Sequence, residues 1–175
     1  VIATMFCACC KQTQHNYYPL TPEDIKWNPY TFGQNVAFIR NTGAKDTFLV
    51  TIGEKSWGCD YCGRTENCGS IRNHSETQQV WVKNKNKSIN WTIALGTRFY
   101  RGSFRMEPDY SLGFSSDYIP DIGTMTINGF IYQNVYSFQY DTAKTHGIVT
   151  KFYFNKEFGF LRTEYKDGSF YELIK

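Results

Sequence analysis

From Val36 onward, apolar and polar residues alternate with a period of two. Phe48, Val50 and Ile52 are interleaved with Thr47, Leu49 and Thr51. Ile89, Trp91, Ile93 and Leu95 are interleaved with Asn90, Thr92 and Ala94, and Phe152 and Phe154 flank Tyr153. Such alternation puts every second side chain on one face of a pleated strand, so one face is buried and the other wetted. Turn signals fall between the runs. Asn41-Thr42-Gly43 separates the first two strands, and Lys166-Asp167-Gly168 closes a last hairpin. Asn128-Gly129 is the strongest hairpin signal, because a type I′ turn needs positive φ at both central residues. The pattern predicts about eight to ten short strands and no long helix. The expected fold is all-β: a single antiparallel meander forming a barrel, a half-open barrel or a sandwich.

The first 34 residues break this pattern. Val1–Cys10 is almost wholly apolar, and Lys11–Gln34 is polar, holds three prolines and shows no period. Within it, Thr21-Pro22-Glu23-Asp24 can start one helical turn, since proline suits the first helical position. The chain therefore divides into 1–10, the remnant of a lipoprotein signal and anchor; 11–34, a tether and irregular lead-in; and 35–175, a single β domain. A domain of this size buries roughly 70% of the surface its unfolded chain exposes, so no disulfide is needed for folding.

The leading segment has an apolar stretch and small residues beside cysteine, two of the three parts of a signal peptide. The residue ahead of the cysteine decides between candidates: Ala8 before Cys9 best meets the small-residue demand ahead of a lipid-modified cysteine, Cys10 is the alternative, and Phe6 before Cys7 is too bulky. Two or more acyl chains on that thiol would anchor the protein stably, at about 0.8 kcal/mol per buried methylene. The competing readings are a buried first strand and a metal-binding cysteine cluster. Beyond residue 10 no apolar run approaches the roughly 18 residues that span a bilayer.

Composition adds little more. Aromatic residues make up 18% of the chain, a share that favours strands and large buried contacts. A net charge of +3 is too mild for a dedicated nucleic-acid binder. No nucleophile elbow, phosphate loop or His-Glu-x-x-His is present.

Three constellations carry candidate chemistry. Cys59, Cys62, Cys68 and His74 are spaced Cys-x2-Cys-x5-Cys-x5-His, which offers either a Cys3His zinc site or, in an oxidising compartment, a disulfide. No motif demands a cofactor, and zinc is the one metal this loop suggests. Lys83, Lys85 and Lys87 with Trp81 and Trp91 read either as a stacking and anion-binding strip or as an edge strand that lysines protect from pairing. Phe130, Tyr132, Tyr136, Phe138 and Tyr140 line a ligand cavity if they share a strand face, or simply form the core of a curved sheet.

Residues 27–52, which open "WNPYTFGQ", and the tail from Asn128 with its Asn-Val-Tyr and Asp-Gly hairpins resemble small envelope lipoproteins of the Bacteroidota. The resemblance implies a lipid-anchored protein of the bacterial envelope. The absence of acids after Cys9 points to the outer membrane, facing the periplasm. It brings no catalytic residues. The expected function is a non-enzymatic binding module for a lipid-like ligand, a polymer or a partner envelope protein, held to the membrane by its anchor. The alternative is a metal- or thiol-dependent protein built on the Cys loop.

Overall fold

The computed structural model describes residues 13–64, 70–87, 89–96, 103–106, 110–113, 121–139 and 149–175, with side chains described at these positions except 59–64, 70–71, 103–106, 110–113 and 121–122. The strands are β1 (Thr13–Tyr18), β2 (Asn35–Arg40), β3 (Lys45–Ile52), β4 (Ser56–Arg64), β5 (Ser70–Asn84), β6 (Asn90–Gly96), β7 (Ser103–Met106), β8 (Tyr110–Gly113), β9 (Asp121–Ile127), β10 (Phe130–Gln139), β11 (Val149–Asn155), β12 (Gly159–Tyr165) and β13 (Phe170–Leu173). One short helix, α1 (Pro22–Ile25), precedes β2. It starts at the expected place, where Thr21 and Asp24 cap each other: the Asp24 N–H donates to Thr21 Oγ1 and the Thr21 N–H to Asp24 Oδ2.

The chain is mostly β, as its alternation predicts. All strands belong to one sheet whose main path runs β8-β7-β6-β5-β3-β2-β13-β12-β11-β10-β9, with β1 and β4 both paired to β5 off that path. The path is not closed into a barrel, since β8 and β9 end it. Pairing is antiparallel throughout except between β1 and β5, which run parallel. The meander is also interrupted: β2 pairs with β13 and β3 with β5.

The open sheet nevertheless curls around its own core. Trp91 on β6 packs against Phe160 on β12 at 5.4 Å and Tyr171 on β13 at 5.8 Å between ring centroids. Its indole N–H donates to the Tyr165 hydroxyl at 3.3 Å. Strands β6 and β12 stand five places apart in the sheet. A flat sheet would separate them by roughly 24 Å, at about 4.8 Å per strand. Only strong curvature brings their inner faces into ring contact. Phe38, Phe48, Phe152 and Phe154 fill the rest of that interior and are fully buried. Each such ring stabilises the fold by roughly 1.5–3 kcal/mol.

The irregular segment 19–34 is a strap across this curl. The Leu20 N–H donates to Glu76 on β5 at 2.9 Å. Trp27 then packs on Tyr136 and Phe154, at 5.0 and 6.1 Å. Tyr30 is buried, and its hydroxyl accepts the Phe160 N–H at 2.7 Å. The strap ends beside β3, where Gly33 donates to the Val50 carbonyl and Val50 to that of Gln34. It thus touches strands on both limbs of the sheet, and Leu20, Trp27 and Tyr30 belong to the core. No period marks these residues in the sequence, because they are single side chains dropped into gaps rather than one face of an element.

The buried contacts of the strap and of β12 can be probed at two positions. Gly159 has φ +83°, and a Cβ there would lie 2.0 Å from the Tyr30 hydroxyl, whereas Gly168 has φ +82° and open space around it. Gly168→Ala should cost only the left-handed penalty of about 1–2 kcal/mol. Gly159→Ala should cost that plus about 1–3 kcal/mol of overpacking, read as a larger drop in urea midpoint. The second concerns alkali. Burial pushes the Tyr30 and Tyr165 hydroxyls well above the ordinary tyrosine range, with their hydrogen bonds from Phe160 and Trp91 opposing. Unfolded tyrosines ionise near pH ~10; above it the folded state holds more protons than the unfolded state. Stability contributed by these groups is therefore complete below pH ~10 and falls as pH rises beyond it. Tyr165→Phe should flatten that fall in urea midpoints measured across the alkaline range.

Candidate functional site

β5 is fifteen residues long and has two halves. Thr77–Asn84 lies between β3 and β6 and carries the core residues Val80 and Val82. Ser70–Ser75 runs beyond them, with β1 on one side and β4 on the other. Alternation divides this outer half. Asn73 and Ser75 are buried, while Arg72 is exposed and His74 and Glu76 are half-buried on the opposite face.

That opposite face gathers rings. Tyr17 on β1 is the register partner of His74, and Trp57 on β4 that of Glu76. Tyr17 is 61% exposed and Trp57 49% exposed, and they meet edge to face at 5.6 Å. Tyr17 also lies 4.8 Å from His74, with ring planes 14° apart. His15 and His74 approach nitrogen to nitrogen, Nδ1 to Nε2, at 2.9 Å. Their centroids are 5.1 Å apart and their planes 9° apart, so the rings lie side by side and not face to face. One nitrogen of the pair carries the hydrogen and the other the lone pair, according to tautomer.

Polar contacts hold the platform. Asn16 Nδ2 donates to Asn73 Oδ1 at 2.9 Å, tying β1 to β5. Ser56 and Thr77 join β4 to β5 through their hydroxyls at 3.1 Å. Glu76 accepts from Leu20 and forms an ion pair with Lys55 at 3.4 Å. The result is two large exposed rings beside two imidazoles, a guanidinium and a carboxylate–ammonium pair. With the two exposed rings 85° apart, one can stack on a flat apolar surface while the other meets its edge, and the polar groups can hydrogen-bond around the rim.

Several residues singled out in the sequence fall elsewhere. Lys83, on the strand, sits 5.1 Å from the Trp81 ring. Lys85 and Lys87 lie past the end of β5, and Lys87 is ion-paired with Asp46 at 2.6 Å. Trp91 is in the core. The lysines therefore form no common strip, and β5 is not an edge there, being paired on both sides. The aromatic row on β10 is split as well. Register shifts at Gln133/Val135 and Val135/Tyr136, with Asn134 at φ 52°, change which residues face inward. Phe130 is exposed, Tyr132 is buried against Phe158, Tyr136 meets Trp27, and Phe138 stacks on Phe152 at 4.6 Å.

Cys59 and Cys62 have strand positions on β4, opposite His74 and Arg72 respectively; their side chains lie outside the described ones. Cys9, Cys10, Cys68 and Tyr140 lie outside the described residues altogether. Among the described side chains, no three His, Cys, Asp or Glu groups converge as a metal site. Among the described residues, no helix is long and apolar enough to cross a membrane. His15, Tyr17 and Trp57 are the residues that sequence reasoning passed over. Their one signal is the His-x-Tyr spacing of two at positions 15 and 17, which a strand turns into neighbours on one face.

Comparison of the chain with protein-family models, with curated proteins and with solved structures yields no match, so its function rests on the chemistry of its own side chains.

Proposed function

We propose that this chain is a non-enzymatic binding module, held at the bacterial envelope through Cys9, with Cys10 as the alternative, whose ligand is a polymer of ring-bearing units such as a polysaccharide. One observation carries the reading: Tyr17 and Trp57, both large and largely exposed, stand edge to face on the outer sheet face beside His74. Aromatic rings held rigid by strand backbones offer contact area at small entropic cost. Pyranose rings present flat C–H faces to such platforms and hydroxyls to a charged rim, here Arg72, Lys55 and Glu76.

The curled interior supports this choice over an enclosed lipid-like ligand. Its inner face is filled by Trp91, Phe38, Phe48, Phe152 and Phe160 in mutual ring contact. A lipid chain would have to displace those rings, forfeiting their packing.

The test is affinity electrophoresis and pull-down with soluble and insoluble glucans, chitin and peptidoglycan. At least one polymer should retain the protein. Tyr17→Ala and Trp57→Ala should each weaken that retention by about tenfold, the loss typical of an aromatic anchor. Both positions are exposed, so thermal stability should stay within about 0.5 kcal/mol of the parent. Retention that the double variant leaves intact, or none on any polymer, overturns the reading.

A further inference from the structure

Three arginines have described side chains, Arg40, Arg72 and Arg162. Two of them are neutralised where they stand. Arg40 pairs with Asp46 at 2.8 Å, and Arg162 with Glu164 at 2.7 Å and Glu172 at 2.6 Å. Each also lies over a ring, Arg40 over Tyr171 and Arg162 over Phe170. Arg72 is the exception. It is exposed, and among the described residues it has no ion-pair, hydrogen-bond or ring partner.

Its place gives that exception a meaning. Arg72, His74 and Glu76 alternate along β5 and share a face. Arg72 is the register partner of His15 on β1, and His74 that of Tyr17. Arg72 therefore stands one row along from Tyr17, at a backbone spacing of about 6.6 Å for residues two apart on a strand. The other polar groups of the face are engaged. His15 and His74 meet each other at 2.9 Å. The Glu76 side chain, 12% exposed, pairs with Lys55 and accepts the Leu20 N–H. The platform is thus left with one uncompensated charge among its described side chains, and it is a guanidinium. That group offers paired N–H donors that match the two oxygens of a carboxylate.

We propose that the platform's polymer is an acidic polysaccharide, one whose sugar units carry carboxylates, and that Arg72 is the residue that selects it. A sugar ring rests on Tyr17 or Trp57 while a carboxylate of the same or the next unit is held by the Arg72 guanidinium. The inference rests on the polymer-binding reading and names the polymer's class. The two contributions are separable. Ring contact is open to neutral and acidic sugars alike, whereas the exposed guanidinium acts through charge and is screened by salt.

Polygalacturonate and its methyl ester share one chain and differ in whether the carboxylate is free. Coupled to beads, the free acid should retain the full-length protein about tenfold more strongly than the ester. That excess should vanish as salt rises from about 0.1 to 1 M, where the screening length shrinks to about 3 Å. This arm uses the unaltered protein, so it decides the matter even where a variant misfolds. Arg72→Ala should lose about tenfold on the acid, the scale of a hydrogen bond to a charged group, and nothing on the ester. Arg72→Lys should restore only part of the loss, since an ammonium lacks the paired donors. Lys166→Ala removes the same charge from the exposed turn between β12 and β13 and should lose nothing, which separates a specific contact from general attraction to a chain of net charge +3. Equal retention by acid and ester, an excess that survives high salt, an Arg72→Ala variant that keeps its grip on the acid, full restoration by lysine, or an equal loss in Lys166→Ala would each overturn the inference. So would failure of the acid to be retained at all. The polymer-binding reading falls only by its own test, through Tyr17 and Trp57.

Discussion

The hydrogen bond from the Phe160 N–H to the buried Tyr30 hydroxyl joins residues 130 positions apart, and the curl of the sheet depends on it. A sheet with two free ends has no covalent or ladder constraint to keep it curved. Its curvature is held by what lies across the opening. Trp91 spans the interior from β6 to β12 and β13. The strap carrying Trp27 and Tyr30 spans the rim. The glycine at 159 lets the Tyr30 ring approach the β12 backbone as closely as it does. A single hydrogen bond contributes about 1 kcal/mol net, but here it also satisfies a buried amide and fixes the ring that excludes water from the core.

The same constraint shapes the outer face. Because the strap begins immediately after β1 and is tied at Leu20 to Glu76, β1 is delivered alongside the outer half of β5. Parallel pairing, the one exception to an otherwise antiparallel sheet, is the consequence: β1 and β5 are joined through a long crossover that includes the strap, β2, β3 and β4. Long β5 then links two environments. Its inner half is packed in a dry core, and its outer half carries Arg72, His74 and Glu76 toward solvent. The platform inherits rigidity from the core without being part of it.

The fold class was legible in the sequence because period-two alternation is a direct image of a half-buried strand, as in Val50 and Ile93. The turns were legible for a similarly local reason: Asn128 and Gly129 both take positive φ. What could not be read was non-local. Trp27 and Tyr30 sit in an aperiodic, proline-rich stretch, and their burial is decided by strands more than a hundred residues away. The platform escaped for the same reason. His15 and His74 lie 59 positions apart, and only the parallel pairing of β1 makes them neighbours. The β10 aromatics were legible in part: Tyr132 and Phe138 belong to the core, but bulges beside Asn134 and Val135 break the single face that the alternation suggests and leave Phe130 exposed.

The order of assembly along the chain has a consequence of its own. The strap and β2 are made well before two of their partners, Phe160 on β12 and the strand β13, which follow more than a hundred residues later. A ribosome or translocon delivers the chain amino end first. The core therefore cannot seal on a partly emerged chain: β2 can pair with β3 at once, but its other edge and the Tyr30 hydroxyl stay open until β12 and β13 are made. Such closure between distant segments is slow, so the sealing of the core is the late event in folding even though the hairpins that flank it are local.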